Sequence, residues 1–214
     1  MKHSLLSLAV LFLLFTSILL SGCSREIPAN FDYGNWSDST YRNDFFGFSI
    51  TMPESWHIAS KEEMDAIEWI DEDFVNRQEA EKAAKIAEIT TADLFNVFRY
   101  TDDEAEARES FNPSVSAFAE TLPLLINRAE YVKQTRQLIA KTMPGINIKS
   151  ETNRTVNGVE FIVLETEVSI QGIRIHQEYW VCLKHGFALL FLLTWVDAEE
   201  KQMLDDIKAT LKWD

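Results

Sequence analysis

The side chains with the best prospects for chemistry lie in the last third of the chain. Glu165, Glu167, His176 and Glu178 flank Gln171-Gly172, a fair signal for a two-residue hairpin turn. Hairpin partners fall at equal distances from the turn, so Glu165 is expected opposite Glu178 and Glu167 opposite His176. Residues two apart on a strand share a face, which brings all four together. The same register sets Trp180 beside Val163, and a turn at His185-Gly186 sets Trp195 beside His176, so the acidic patch borders the apolar core. Three carboxylates and an imidazole in this pattern suit a divalent cation or a cationic ligand. The commoner form of such a cluster is a solvated sheet end with His176 paired to Glu167. A one-residue slip in register would scatter it.

Signatures of catalysis are absent from the sequence. It has no Gly-rich phosphate loop, Cys-x-x-Cys pair, His-Glu-x-x-His helix or Gly-x-Ser-x-Gly elbow. The expectation is therefore a protein without catalytic residues, cofactor or metal centre. His57, after Trp56 at a strand end, and His185, in a turn, are expected to be solvated. A hydrolase or transferase would have to work through Glu165, Glu178 and His176. That requires the three to meet in one cleft, since a general acid and a general base must reach the same bond.

A different chemistry is suggested at the other end. After Met1-Lys2-His3-Ser4 comes an uncharged apolar run from Leu5 to Leu20, the layout of a secretory signal peptide and shorter than the roughly 20 apolar residues of a membrane helix. It ends in Leu20-Ser21-Gly22-Cys23, which resembles the lipobox of bacterial lipoproteins. The resemblance implies a diacylglyceryl group on the Cys23 thiol, cleavage before Cys23, and attachment to an envelope membrane on the side away from the cytoplasm.

Composition narrows the partners. Only Lys2 carries charge in the leader, so residues 23–214 hold 19 basic and 34 acidic side chains, a net charge of −15. Such a surface repels nucleic acid and anionic lipid headgroups, which excludes nucleic-acid binding and leaves membrane attachment to the lipid. With Cys23 acylated and Cys182 in an apolar strand pattern, no disulfide within the chain is available. Cys182 is expected to be a small buried hydrophobe.

The elements that would position these groups follow from patterning. Residues 23–40 are polar and turn-rich and read as a flexible tether, leaving 41–214 as one globular domain. Phe46, Phe48, Ile50 and Met52 alternate as in a half-buried strand ended by Pro53. Ser60 and Glu63 form a capping box for a helix from near Lys61 that continues toward Glu88. A strand is expected over Asp93 to Tyr100 and an acidic loop over Asp102 to Arg108. From Val115 through Phe118, Leu122 and Ile139 to Met143, the apolar spacing suggests a long helix kinked or restarted at Pro123. Turns at Asn157-Gly158, Gln171-Gly172 and His185-Gly186 predict a four-strand meander from Ile146 to Val196. Phe187 to Trp195 is apolar on both faces, so its strand should be central and covered on both sides. Asp197 with Glu200 caps a final helix carrying Leu204, Ile207 and Leu211. The fold class is therefore α+β, an antiparallel sheet of about six strands sandwiched between helices.

The run Tyr41-Arg42-Asn43-Asp44-Phe45-Phe46-Gly47-Phe48-Ser49-Ile50-Thr51-Met52-Pro53-Glu54-Ser55-Trp56 resembles the opening of PsbP-like domains: Tyr-x-Asn, a Gly-aromatic strand, then Pro-x-x-Trp. The family includes extrinsic photosystem subunits, a nuclear transport cofactor and many bacterial lipoproteins, so fold alone does not set function. The resemblance implies an α/β/α sandwich and a binding or assembly role in place of catalysis. Within it Gly47 is expected to allow close backbone approach, Pro53 to stop the strand, and Trp56 to pack beneath the turn. The leading expectation is thus a lipid-anchored, non-enzymatic binding or scaffold protein of the envelope with an unidentified protein partner.

Overall fold

The computed structural model describes residues 26–66, 90–108, 110–122, 126–143 and 145–214. The expected leader, the lipobox residues Leu20, Ser21 and Gly22, and Cys23 itself lie outside these residues. So do Pro123 and the helix expected between residues 67 and 88.

The last third follows the turn chemistry. Asn157, Gln171 and His185 take φ of 48°, 50° and 53°, and each is followed by a glycine with φ between 83° and 85°. Two successive positive φ values make the tight turn whose twist matches antiparallel strands. The result is a meander of β7 (Asn147–Val156), β8 (Val159–Ile170), β9 (Ile173–Lys184) and β10 (Phe187–Trp195). It is extended beyond β10 by β6 (Ser114–Thr121), β5 (Thr91–Phe98) and the short β4 (His57–Ile58). The seven strands lie antiparallel in the order β4-β5-β6-β10-β9-β8-β7. All nine residues of β10 are buried, as a strand apolar on both faces requires.

Cover comes from different elements on the two faces. On one, Ala188, Leu190 and Leu192 of β10 meet Tyr131, Val132 and Ile139 of the helix Arg128–Thr142. On the other, Leu189, Phe191 and Leu193 meet Tyr41, Phe48 and Ile50 together with Leu204 and Ile207 of the helix Ala198–Ala209. This second face thus carries a smaller antiparallel sheet, β1 (Asn35–Ser37), β2 (Thr40–Asn43), β3 (Phe48–Thr51) and β11 (Lys212–Trp213), beside the C-terminal helix. The expected α+β class, with an antiparallel sheet covered on both faces, is what the structure has. The four-stranded second sheet is additional.

The opening motif now has a mechanical reading. Asn43 is fully buried, its amide donating to the Asp32 carbonyl and accepting from the Phe46 N–H, which clamps the turn into β3. Gly47 has φ +65°, and a Cβ there would find its nearest neighbour at 3.7 Å. Its role is therefore the left-handed backbone, not the expected close approach. Trp56 is buried in the second-face core as expected.

Three local expectations are corrected. The tether expected as far as residue 40 is ordered where it is described: β1 pairs with β2, and Ile27, Phe31 and Trp36 pack on the core. These isolated apolar residues in a polar stretch show no period, so only their tertiary contacts identify them. Asp102–Arg108 is a helix, not an acidic loop. Thr101 and Glu104 cap it reciprocally at 3.3 and 3.1 Å, a capping box the acidic composition concealed. Ser114–Thr121 is a strand where a helix was expected. Every residue in it is buried, so the alternation that marks a strand is absent and apolar residues happen to recur at helical spacing. The helix at Lys61–Ala66 starts as expected, with Ser60 and Glu63 exchanging bonds of 2.7 and 3.2 Å.

We number the helices α1 (Lys61–Ala66), α2 (Asp102–Arg108), α3 (Arg128–Thr142) and α4 (Ala198–Ala209), counting the described residues only.

Candidate functional site

The hairpin register brings the expected cluster together. Glu165 pairs with Glu178, Glu167 with His176, and Val163 with Trp180 across β8 and β9, while Trp195 of β10 pairs with His176. The His176 ring lies nearly parallel to Trp195, with centroids 5.8 Å apart and planes at 15°. A cavity of about 360 Å³ opens here, and Glu165, His176, Glu178, Trp180 and Trp195 all line it.

The tertiary fold adds what the sequence reading missed. Helix α4 crosses this face of the sheet and lowers Lys201 and Lys208 into the cavity. Glu178, whose side chain is 8% exposed, accepts from Lys208 Nζ at 2.8 Å and from the Trp180 indole N–H at 2.8 Å, with Lys201 Nζ at 3.8 Å. Asp205 joins both lysines, at 2.8 Å to Lys201 and 2.6 Å to Lys208. Burial alone would raise the Asp205 carboxyl, but hydrogen bonds from Lys201 and Lys208 outweigh it and hold the group below its ordinary range. Burial likewise works against the Lys201 ammonium, yet Asp205 and Glu178 hold its pKa above the usual value. Each ammonium also lies over an aromatic face, Lys201 at 5.5 Å from Trp195 and Lys208 at 5.0 Å from Trp180.

On the β7 side, Lys149 sits 3.1 Å from Glu167. Its hydrogen bond is the chief cause holding the Glu167 carboxyl below its ordinary range. His176 Nδ1 stands 3.7 Å from the same carboxylate. Glu165, half-buried, forms no hydrogen bond or ion pair among the described residues; Lys201 feels its charge at longer range.

This arrangement changes the expected chemistry. Among the described residues no three His, Cys, Asp or Glu side chains are placed to hold a metal ion, and Lys149, Lys201 and Lys208 line the cavity beside the carboxylates. The three residues an acid-base mechanism would need do line one cavity, but His176 makes no hydrogen bond to Glu165 or Glu178, and Glu178 is engaged by a lysine and an indole. The spacing Lys201, Asp205, Lys208 does announce one charged face of a helix; what lies beneath that face is a matter of packing.

The remaining candidates are tied to structure. His57 Nε2 lies 2.9 Å from Glu63 at the start of α1, and His185 occupies the β9–β10 turn beside Phe45. Cys182 is buried, as expected, and burial pushes its thiol up to about 12. No described helix is long and apolar enough to cross a membrane.

No protein-family model matches this chain, and no curated protein does. Solved structures do. Cyanobacterial PsbP from Synechocystis sp. PCC 6803 aligns at 12% identity and a TM-score of 0.50, over 82% of this chain and 91% of its own. LpqN, involved in cell envelope biogenesis of Mycobacterium tuberculosis, aligns at 12% identity and 0.42, over 77% and 82%. A Pseudomonas aeruginosa protein of unknown function aligns at 15% identity and 0.41, over 47% and 69%. Element order, sheet topology and the likeness to the cyanobacterial protein together establish that this chain has a PsbP-like fold.

Proposed function

We propose that this chain is a lipid-anchored envelope protein with a non-enzymatic binding or assembly role, and that its partner presents a basic group to Glu165 in the groove between the meander and α4. One observation carries the reading. Of the two carboxylates that line this groove with Trp180 and Trp195, Glu178 is matched by Lys208, while Glu165 is half-buried and in no ion pair among the described residues; the neighbouring Glu167 is matched by Lys149. An ammonium or guanidinium group is the complement of such a site, since it gains both an ion pair and aromatic faces. The net charge of −15 steers basic partners toward the protein in the same sense. The leader and the Leu20-Ser21-Gly22-Cys23 sequence support attachment to the envelope membrane, and the PsbP-like fold is compatible with a binding role.

The test is crosslinking in intact envelopes with wild type, Glu165→Gln and Glu165→Lys. A partner recovered by wild type, reduced by Glu165→Gln and lost with Glu165→Lys supports the proposal. A partner captured equally by all three refutes the assignment of Glu165. The second reading, a hydrolase or transferase, is favoured by the shared cavity of Glu165, His176 and Glu178. It requires turnover by purified protein that disappears in His176→Ala.

A further inference from the structure

A second and larger cavity, about 760 Å³, lies on the same side of the big sheet, between the end of β3, the end of β5, α2 and α4. That volume falls within the roughly 300–1,000 Å³ of ligand pockets. Its apolar lining comes from Met52, Trp56, Met203 and Ile207. Thioether side chains fill irregular space and adapt to flexible apolar ligands. At one side stands Tyr100 with two guanidinium groups near its ring, Arg99 Cζ at 5.1 Å and Arg108 Cζ at 4.6 Å from the centroid. Both arginines line the cavity.

These cations are weakly committed. Arg108 has no hydrogen bond or ion pair among the described residues, and Arg99 there pairs with Glu199 at 3.5 Å, on a carboxylate 72% exposed, with the Glu200 charge acting on it at longer range. The two acids on the rim, Glu104 and Asp206, each take a hydrogen bond from a residue near in sequence and form no ion pair with either arginine. Glu104 accepts from the Thr101 N–H at 3.1 Å, and Asp206 from the Gln202 amide at 2.9 Å. The Tyr100 backbone is held on both sides: the buried Asn112 side chain accepts from its N–H at 3.0 Å and donates to its carbonyl at 2.9 Å. An aromatic ring on a pinned backbone thus has two guanidinium groups over it beside an apolar trough, on a protein that is otherwise strongly acidic.

We propose that this cavity binds an anionic acyl chain, a fatty carboxylate, with its tail along Met52, Trp56 and Met203 and its head between Arg99 and Arg108. Planar guanidinium groups match a carboxylate two oxygens at a time, which ammonium groups do not. The chain supplies the apolar contact that a bare anion lacks.

The test uses the full chain held in phosphatidylcholine nanodiscs, with empty discs as the blank, titrated calorimetrically with octanoate, acetate and octanol. Octanoate should bind saturably, one per chain, with acetate and octanol each weaker by about tenfold or more, because each lacks one of the two contacts. Arg108→Gln, at an exposed position, should weaken octanoate about tenfold and leave octanol unchanged. Met203→Glu should abolish octanoate binding while far-ultraviolet circular dichroism stays that of wild type. Equal binding of acetate would make this a plain anion site, and equal binding of octanol a plain apolar one. Either result, or an Arg108→Gln chain that binds octanoate as wild type does, overturns the proposal.

Discussion

Replacing Lys208 by Met tests whether the ion pairs under α4 hold the helix to the sheet. Glu178 is 8% exposed and Lys208 21%, so the pair lies between two regimes. Removing one partner of a fully buried pair costs roughly 3–5 kcal/mol, and an exposed pair is worth at most about 1 kcal/mol. After Lys208→Met, Glu178 keeps the Trp180 indole at 2.8 Å and Lys201 at 3.8 Å, while the Met side chain preserves the apolar stem that packs over Trp180. These remaining partners place the expected loss at about 2 kcal/mol. Glu178→Gln should cost less, about 1 kcal/mol, since Lys208 retains Asp205 at 2.6 Å and the amide oxygen still accepts from Trp180. The double variant buries no unpaired charge, so it should lose about 1 kcal/mol less than the two single losses added together. Urea unfolding followed by tryptophan fluorescence measures all three, with an unchanged slope required for the comparison. If Lys208→Met lies within about 0.5 kcal/mol of wild type, or the two losses simply add, the network is surface decoration and the argument fails.

Burial is the main cause holding the Glu200 carboxyl above its ordinary range, with the Asp197 charge acting in the same sense and the Val196 N–H bond and the Arg99 charge acting the other way. A group raised on folding contributes its full stability below the unfolded pKa and loses it as pH rises through the folded one. Glu200→Gln keeps an oxygen for the Val196 N–H, now 2.8 Å away, and does not titrate, so its stability relative to wild type should grow from about pH 4 to pH 7; melting curves that run parallel would contradict this. The buried Cys182 thiol should resist a disulfide reagent at mildly alkaline pH in the native chain and react only when urea unfolds it, while prompt native labelling would refute its burial. Cys23→Ser should leave the leader uncleaved, because lipid transfer needs the thiol as nucleophile. Mass spectrometry of membrane-extracted wild type should show a chain beginning at Cys23 with acyl mass added, and any other start, or no lipid, removes the anchor from the proposed function.

How far the sequence alone carried depended on whether a signal was local. The turns at Gln171-Gly172 and His185-Gly186 set the register of β8 to β10 without help from the rest of the chain, because a two-residue turn with positive φ admits one pairing; that is why the sequence alone places Glu165, Glu167, His176 and Glu178 together, with Trp180 and Trp195 beside them, whereas a bulge between Ile148 and Ser150 shifts β7 against β8 in a way its turn does not announce. Capping boxes at Ser60 and Asp197 marked helix starts for the same reason. Tertiary structure decided the rest. The strand Ser114–Thr121 lies between two others and is buried on both faces, so the solvent that prints a period of two on half-exposed strands leaves no mark on it. Phe31 and Trp36 look like tether residues until the second sheet supplies their contacts. The character of the groove was undetermined in the same way: the charges that match Glu178 come from Lys201 and Lys208, more than twenty residues along the chain from it, and only the packing of α4 across the sheet brings them within Coulomb range.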